Sequence, residues 1–199
     1  RGHYKGVDIS VTSTGIGGPS AAIAIEELAK VGAQVMIRVG TSGSLQDHIQ
    51  LGDLVIANSS IRDEGTSGQY LPMSFPAVAD FTVTQALQKS AVQNQYPHHV
   101  GVIHCKDAFY AEESGTMPMQ HHWEQKWKTW HRAGTLCTEM ESSTLFILGQ
   151  VRGLKTGTVL AVIGETKDGQ VSIKHVGVDS AIKVALDAIV TLEEELKLC

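Results

Sequence analysis

The segment Val35-Met36-Ile37-Arg38-Val39-Gly40-Thr41-Ser42-Gly43 decides the fold, because an apolar, strand-like run leads directly into a small, hydroxyl-rich turn. Ligands of open α/β sheets bind just beyond the carboxyl ends of strands, and glycines let the backbone approach an anion closely. The planar cation of Arg38 matches phosphate or carboxylate. The segment therefore predicts a site for an anion beside a hydroxyl-bearing group. The alternative interpretation is a buried arginine paired with an internal carboxylate.

Strand and helix patterns alternate along the chain on both sides of this segment. Strands are predicted at 8–12, 34–39, 54–57, 100–105 and 158–163. Helices are predicted at 21–30, 82–93 and 179–198, with a tryptophan-rich helix and an apolar helix between the last two strands. Such alternation predicts one α/β domain over residues 1–199, with three layers and a central twisted, mainly parallel or mixed sheet flanked by helices.

The amino-acid composition limits the classes of binding partner and the cellular compartment that we expect. The chain has 199 residues and a formal net charge of -5, without a basic block, so nucleic-acid binding is not expected. Its apolar runs have strand length, so no membrane association is expected either. Three scattered cysteines indicate a reducing compartment, and we expect a cytoplasmic protein. The nine histidines lack ligand spacing, so we expect no catalytic metal.

Polar segments also stand at other predicted strand ends. They are the glycine-rich turn 14–20, the acidic segment 139–141 and the segment 164–167. A buried carboxylate such as Glu141 needs hydrogen-bond donors, and a sugar diol supplies two in one direction. The alternative for Glu141 is a charge that interacts with a helix N-terminus. The tryptophans of the stripe Trp123, Trp127 and Trp130 have helical spacing and are expected in the core or at an interface.

These motifs, taken together and in order, resemble the signature of the uridine and purine nucleoside phosphorylase family. The matching segments are Ser13–Ser20, Arg38–Gly43, Phe75–Asp80, Asp107–Tyr110 and Glu139–Ser142. Those at Phe75–Asp80 and Phe109–Tyr110 are most similar to the uridine phosphorylase branch. The resemblance extends over nearly the whole chain and implies the family's α/β fold.

The resemblance assigns roles to individual positions. It implies that the catalytic residues are Arg38, which binds phosphate, Thr41, which lies between phosphate and ribose, and Glu141, which binds the ribose hydroxyls. The other substrate-binding positions that it implies are Ser42, Gly43, Phe109, Glu113, Glu139, Met140 and Glu165. Ile16 and Ser20 match positions that, in some relatives, help to hold a monovalent cation at a dimer interface.

The reaction that the resemblance implies is reversible phosphorolysis of a ribonucleoside to the free base and ribose 1-phosphate. Phosphate serves as nucleophile and faces an oxocarbenium-like sugar. The reaction needs no organic cofactor, only inorganic phosphate as co-substrate. A homodimer is the expected minimum assembly, because active sites of the family borrow residues across a two-fold interface.

Two departures from the family pattern leave alternatives open. The family domain begins with a further strand and a Gly-Asp-Pro-x-Arg-like phosphate loop, and nothing resembling them precedes the matched segments, so we expect the chain to be part of a longer protein. Where uridine phosphorylases read the base with Gln and Arg, this chain has Glu112 and Glu113. Glu165 stands where purine phosphorylases place an acid. The alternatives are therefore a purine nucleoside phosphorylase, a nucleosidase, against which Arg38 argues, or a catalytically impaired nucleoside-binding relative.

Overall fold

A computed structural model describes residues 1–112, 117–167 and 170–197 of the chain. The strands are β1 Gly2–Tyr4, β2 Val7–Ile9, β3 Val35–Ser44, β4 Leu54–Asp63, β5 Ala77–Val78, β6 His98–Lys106, β7 Cys137–Glu139, β8 Lys155–Lys167 and β9 Gln170–Ile173. The helices are α1 Gly18–Lys30, α2 Phe81–Gln93, α3 Gln120–Arg132, α4 Ser142–Arg152 and α5 Val178–Lys197. None of the helices in these described ranges combines the length and apolar character needed to cross a bilayer.

Strands β3 to β9 form one mixed sheet in the order β5-β4-β6-β7-β3-β8-β9. The ladders β3–β8, β4–β6 and β6–β7 are parallel, and the others are antiparallel. Strand β4 also pairs with β8, so that the strands β4, β6, β7, β3 and β8 close into a ring of ladders. The predicted α/β class with a central mixed sheet is confirmed.

Two separate apolar cores lie on the two faces of this sheet. One contains Val55 of β4 with Ile25 of α1 and Phe146 of α4, all buried. The other contains Leu54 of β4, the residue next to Val55, with buried side chains of α2 and α5. Because successive strand residues point to opposite faces, a strand buried on both sides has to be continuously apolar, as β4 is at its start.

Strand β3 is longer than its sequence predicts. The segment 40–43, predicted as a turn, continues the strand because its backbone stays paired with β8. The ladder with β8 extends to the pair Gly43–Gly164, and β7 pairs on the other side at Gly43 and Ser44. A register shift between Ser42 and Gly43 is the local irregularity that the glycines allow.

The N-terminal hairpin of β1 and β2 lies outside the mixed sheet. The strand predicted at 8–12 is therefore confined to Val7–Ile9 and pairs with β1. Asp187 of α5 attaches the hairpin to the body, since it accepts hydrogen bonds of 2.9 Å from both the Tyr4 hydroxyl and the Lys5 ammonium. A single carboxylate thus joins the start of the chain to its last described helix.

Candidate active site

A buried ion-pair cluster joins β3 to the segment between β7 and α4. The Arg38 Nε donates to Glu139 Oε2 over 2.9 Å, and its Nη2 lies 2.6 Å from Glu141 Oε2. The Glu139 side chain is 1% exposed and that of Glu141 9%. The predicted phosphate-binding and ribose-binding residues therefore lie in direct contact, although 101 residues separate Arg38 from Glu139.

The two carboxylates of this cluster have different second partners. Glu139 accepts hydrogen bonds of 3.0 Å from the backbone N–H groups of Glu141 and Ser142, at the start of α4. It therefore satisfies donors that the first turn of a helix leaves unpaired. Glu141 instead accepts a hydrogen bond from the Gly17 N–H, before α1. At the N-terminus of α4 the capping carboxylate is therefore Glu139, while the Glu141 side chain reaches Gly17 at the N-terminus of α1.

The environment of Arg38 keeps it charged. Burial of the guanidinium opposes its charged form, but Glu139 and Glu141 outweigh that cost and raise the pKa of Arg38 above its ordinary value. The guanidinium also lies across Gly40, on the same face of β3. A Cβ at position 40 would stand 2.5 Å from Nη1, so only glycine leaves room for this orientation.

The next residues of β3 divide between the two faces of the strand. Ser42 is buried, and its Oγ lies 3.5 Å from the Ala161 carbonyl oxygen of β8. Thr41 is exposed, and strand alternation places its side chain on the face opposite Arg38. Gly43 lies against Gly164 of β8, where an added Cβ would be 3.5 Å from the Gly43 Cα. The structure thus brings Arg38, Glu139 and Glu141 together, whereas the Thr41 side chain points away from them.

Aromatic side chains follow β6 at the same edge of the sheet. Phe109 is 55% exposed, and its ring meets that of Tyr110 edge-on, with 5.1 Å between centroids. Lys106, at the end of β6, is buried, and its Nζ lies 5.7 Å from the centre of the Phe109 ring. An exposed aromatic ring of this kind can stack on a flat base.

A cleft of about 720 Å³ opens beyond the end of β3. Ser44, Trp127 of α3 and the half-buried Glu165 of β8 line it, together with basic side chains on α3. Glu165 therefore lies on this cleft and not in the Arg38 cluster. A second cavity, of about 450 Å³, lies far from these residues at the carboxyl-terminal ends of α1 and α4.

The remaining predicted positions are placed as follows. Met140 is half-buried between the two glutamates, and Ile16 is 79% exposed ahead of α1. The Ser20 hydroxyl donates to the Thr14 carbonyl oxygen. Glu113 lies outside the described residues. Within the ranges that are described, His, Cys, Asp and Glu form no group of three that could hold a metal ion.

The sequence interpretation missed a polar network that fixes α3 beside the cleft. His104, on β6, is 1% exposed, and its Nε2 lies 3.0 Å from Asp63 Oδ2. Lys126 of α3 donates to the same carboxylate, over 2.6 Å to Oδ2. These bonds lower the pKa of Asp63 to about 2, the largest cause being the bond to His104. A histidine inside an apolar strand run was the signal that could have indicated the network.

A family model described as the phosphorylase superfamily matches residues 1–191. The chain belongs to this superfamily. The match includes every element that carries the Arg38 cluster, the aromatic residues after β6 and the cleft. The family expected from the resemblance is therefore confirmed.

Curated relatives agree with this membership. The chain is 50% identical to the uridine phosphorylase of Treponema pallidum over 91% of its length, which covers 72% of that protein. It is 42% identical to the uridine phosphorylase of Thermococcus kodakarensis, over 97% of the chain and 70% of that protein. It is 36% identical to the guanosine phosphorylase of Halorubrum lacusprofundi, over 95% of the chain and 78% of that protein.

Proposed function

We propose that the protein is a uridine phosphorylase, a pentosyltransferase that converts uridine and phosphate reversibly into uracil and ribose 1-phosphate. The observation that carries the proposal is the contact of Arg38 with Glu139 and Glu141, because it joins an anion-binding cation to a carboxylate suited to a diol. The two relatives named uridine phosphorylase, at 42% and 50% identity, support the choice of base.

The cluster suggests how the reaction is assembled. Glu141 holds the ribose hydroxyls, and the Nη1 side of Arg38, above Gly40, turns toward phosphate, with the Thr41 backbone beside it. The C1′–N1 bond breaks with its electron pair going to the base, while a phosphate oxygen forms the new bond to C1′. The residues act by orientation and charge, since fixing the two reactants in line lowers the barrier without any bond to the protein.

The charge balance of the cluster indicates that phosphate needs further cations. One guanidinium faces two buried carboxylates, so the cluster carries an excess of negative charge. A dianion binds there only with additional positive groups. The resemblance assigns them to a phosphate loop ahead of the matched segments and to a neighbouring subunit. The proposal therefore includes a homodimer as the active assembly, with a monovalent cation near Ile16 and Ser20 at the dimer interface. It also includes a cytoplasmic location and a reaction without a catalytic metal.

A purine substrate is the second candidate. Glu165 on the cleft is a carboxylate that can supply a proton to a departing purine, and the guanosine phosphorylase relative shares 36% of its residues with the chain. Uridine is favoured because the two relatives of higher identity carry that name.

The function is tested by incubating the intact protein with uridine, inosine or guanosine, with and without inorganic phosphate, and by identifying the released base and sugar. We expect uracil and ribose 1-phosphate from uridine only when phosphate is present. Release of purine bases alone would favour the second candidate. Base release without phosphate would indicate a nucleosidase, and no release at all an impaired relative.

The roles of the charged residues are tested by Arg38→Lys and Glu141→Gln. We expect R38K to raise the KM for phosphate about tenfold or more, because lysine lacks the planar fork that bonds both acids and an anion. We expect E141Q to raise the KM for uridine instead. Arg152→Lys is the matched control, since Arg152 makes a similar pair with Glu26 at the protein surface. Equal small effects of R38K and E141Q would contradict the assignment.

A further inference from the structure

Lys106 is a buried cation that the proposed reaction leaves without a role. It ends β6 and is 6% exposed. Its Nζ lies 5.1 Å from the centre of the Trp127 ring and 5.7 Å from that of Phe109. Each ring face attracts an ammonium through its quadrupole, so the two aromatic side chains hold the charge at a defined place.

This place lies between the sugar-binding segment and the cleft. Cys105, the residue before Lys106, pairs in the ladder with Glu139 of β7, so the backbone of Lys106 lies next to the segment proposed to hold the ribose, while strand alternation turns the Lys106 side chain to the other face, toward Trp127. On its other side, Trp127 lines the cleft that also contains Glu165. Phe109, the ring expected to stack on the base, completes the surroundings of the Lys106 ammonium.

We propose that Lys106 is the residue that recognises the uracil ring and stabilises it as it leaves, by donating a hydrogen bond to a ring carbonyl oxygen. This inference rests on the proposed function. It also accounts for the segment after Phe109, where the amide and guanidinium that read the base in uridine phosphorylases are replaced by glutamates. In this chain the positive charge beside the base comes from Lys106, at the end of β6, and not from an arginine in the segment after Phe109.

The chemistry of the departing base requires such a charge. When the C1′–N1 bond breaks, its electron pair enters the uracil ring and spreads to the two carbonyl oxygens. A cation already in place stabilises that charge more than it stabilises neutral uridine, which is the condition for lowering a barrier. An ammonium has three N–H donors, so a bond to the base is compatible with the other contacts of Lys106.

The test compares Lys106→Met with wild type in the intact protein, using uridine and 5-fluorouridine as substrates. Methionine keeps an unbranched side chain between the two rings and removes the charge together with its N–H donors. We expect kcat for uridine to fall about 100-fold, as for the loss of one preorganised donor to a developing charge. For 5-fluorouridine the fall should be several times smaller, because fluorine already stabilises the leaving anion. Lys89→Met, on the exposed face of α2, is the control and should match wild type.

Structural damage and loss of recognition give different results. Damage lowers the rate for both nucleosides equally, whereas loss of the charge changes their ratio. Lys106→Arg, which keeps the charge, should recover most of the uridine rate; if K106M does not fold, Lys106→Gln replaces it. If a folded variant without the charge keeps the wild-type ratio of the uridine rate to the 5-fluorouridine rate, this inference is overturned and the proposed function is not. A wild-type protein that releases no uracil overturns the proposed function and the inference with it.

Discussion

Gly40 is the residue on which the orientation of Arg38 depends. The guanidinium lies across its Cα, and a Cβ there would stand 2.5 Å from Nη1 and 2.7 Å from Cζ. Arg38 cannot move away without breaking its bonds to Glu139 and Glu141. Position 40 therefore belongs to the site although its residue has no side chain.

We predict that Gly40→Ala lowers kcat/KM for phosphate by about tenfold or more, because the methyl group displaces the guanidinium from its fork geometry. Steady-state kinetics at varied phosphate concentration measure the effect. Gly2→Ala is the control, since an added Cβ at Gly2 meets no atom within 4 Å. Wild-type kinetics in G40A would show that the orientation of Arg38 does not matter for phosphate.

The identity of the site residues could largely be predicted from the sequence, but their mutual contacts could not. The motif around Arg38 and the acidic segment at 139–141 each carry a chemical signal. The pairing of Arg38 with both acids depends on a register between β3 and β7 that no local pattern contains. Arg38 is interpreted from the sequence either as an anion-binding residue or as a buried arginine paired with an internal carboxylate. These interpretations are compatible, because the carboxylates that it pairs with, Glu139 and Glu141, are themselves predicted substrate-binding residues.

Among the five helices of the described ranges, α3 is the one without a buried residue in its own span. None of its residues is fully buried. It is attached through Lys126 to Asp63, through the rings of Trp127 and Trp130 against His104, and through Gln46, which donates to the His131 carbonyl oxygen. The tryptophan stripe is expected in the core or at an interface; its three residues are half-buried, and Trp127 and Trp130 pack against His104 of β6.

We predict that Asp63→Asn loosens α3 selectively. The change leaves the buried His104 and the partly exposed Lys126 without their carboxylate, at a cost of about 1–3 kcal/mol. Hydrogen exchange should accelerate in 120–132 more than in α1 or α4. Asp47→Asn is the matched control, because Asp47 pairs with His131 of the same helix but its side chain is 94% exposed. Equal acceleration in all helices would mean a global loss of stability instead.

The sequence predicts helices and strands well wherever one buried face produces a regular spacing of apolar residues. Helices at 21–30 and 82–93 differ from the structure by a few residues at the ends, because their apolar faces and caps are local signals. The predicted strand at 34–39 ends before Gly40, whereas β3 extends to Ser44. Glycine and hydroxyl residues indicate a turn as long as the strands that pair with them, β7 and β8, are unknown. The closure between β4 and β8 has no sequence signal, because it joins segments about a hundred residues apart.

At the scale of the whole molecule, Asp187 connects the two ends of the described chain. Its side chain is 12% exposed and receives hydrogen bonds from Tyr4, Lys5, Lys183 and Asn94. Burial alone would raise the pKa of Asp187, but the bonds from Lys183, Lys5 and Asn94 outweigh it, and the pKa lies below its ordinary value.

We predict that Asp187→Asn lowers the free energy of unfolding by about 2 kcal/mol at pH 7, the loss expected for hydrogen bonds to a charged group. Because the folded-state pKa is depressed, the contribution is complete above about pH 4 and is lost as the pH falls further. Urea denaturation at pH 7 and pH 3 should therefore show the difference from wild type narrowing at pH 3. Asp8→Asn, which removes the exposed partner of His3, is the control. A difference independent of pH would contradict the charge-based account.

The peripheral attachment of α3 has a consequence for how specificity can change in this superfamily. The stretch from 107 to 136 leaves the sheet after β6 and returns to it beside the same strand, where the Leu136 N–H donates to the Val102 carbonyl oxygen. Its described residues, 107–112 and 117–136, include Phe109 and Trp127 but contribute no fully buried apolar side chain to either core. Replacement of this stretch by the corresponding stretch of a relative would therefore leave both apolar cores and the ion pairs of Arg38 in place.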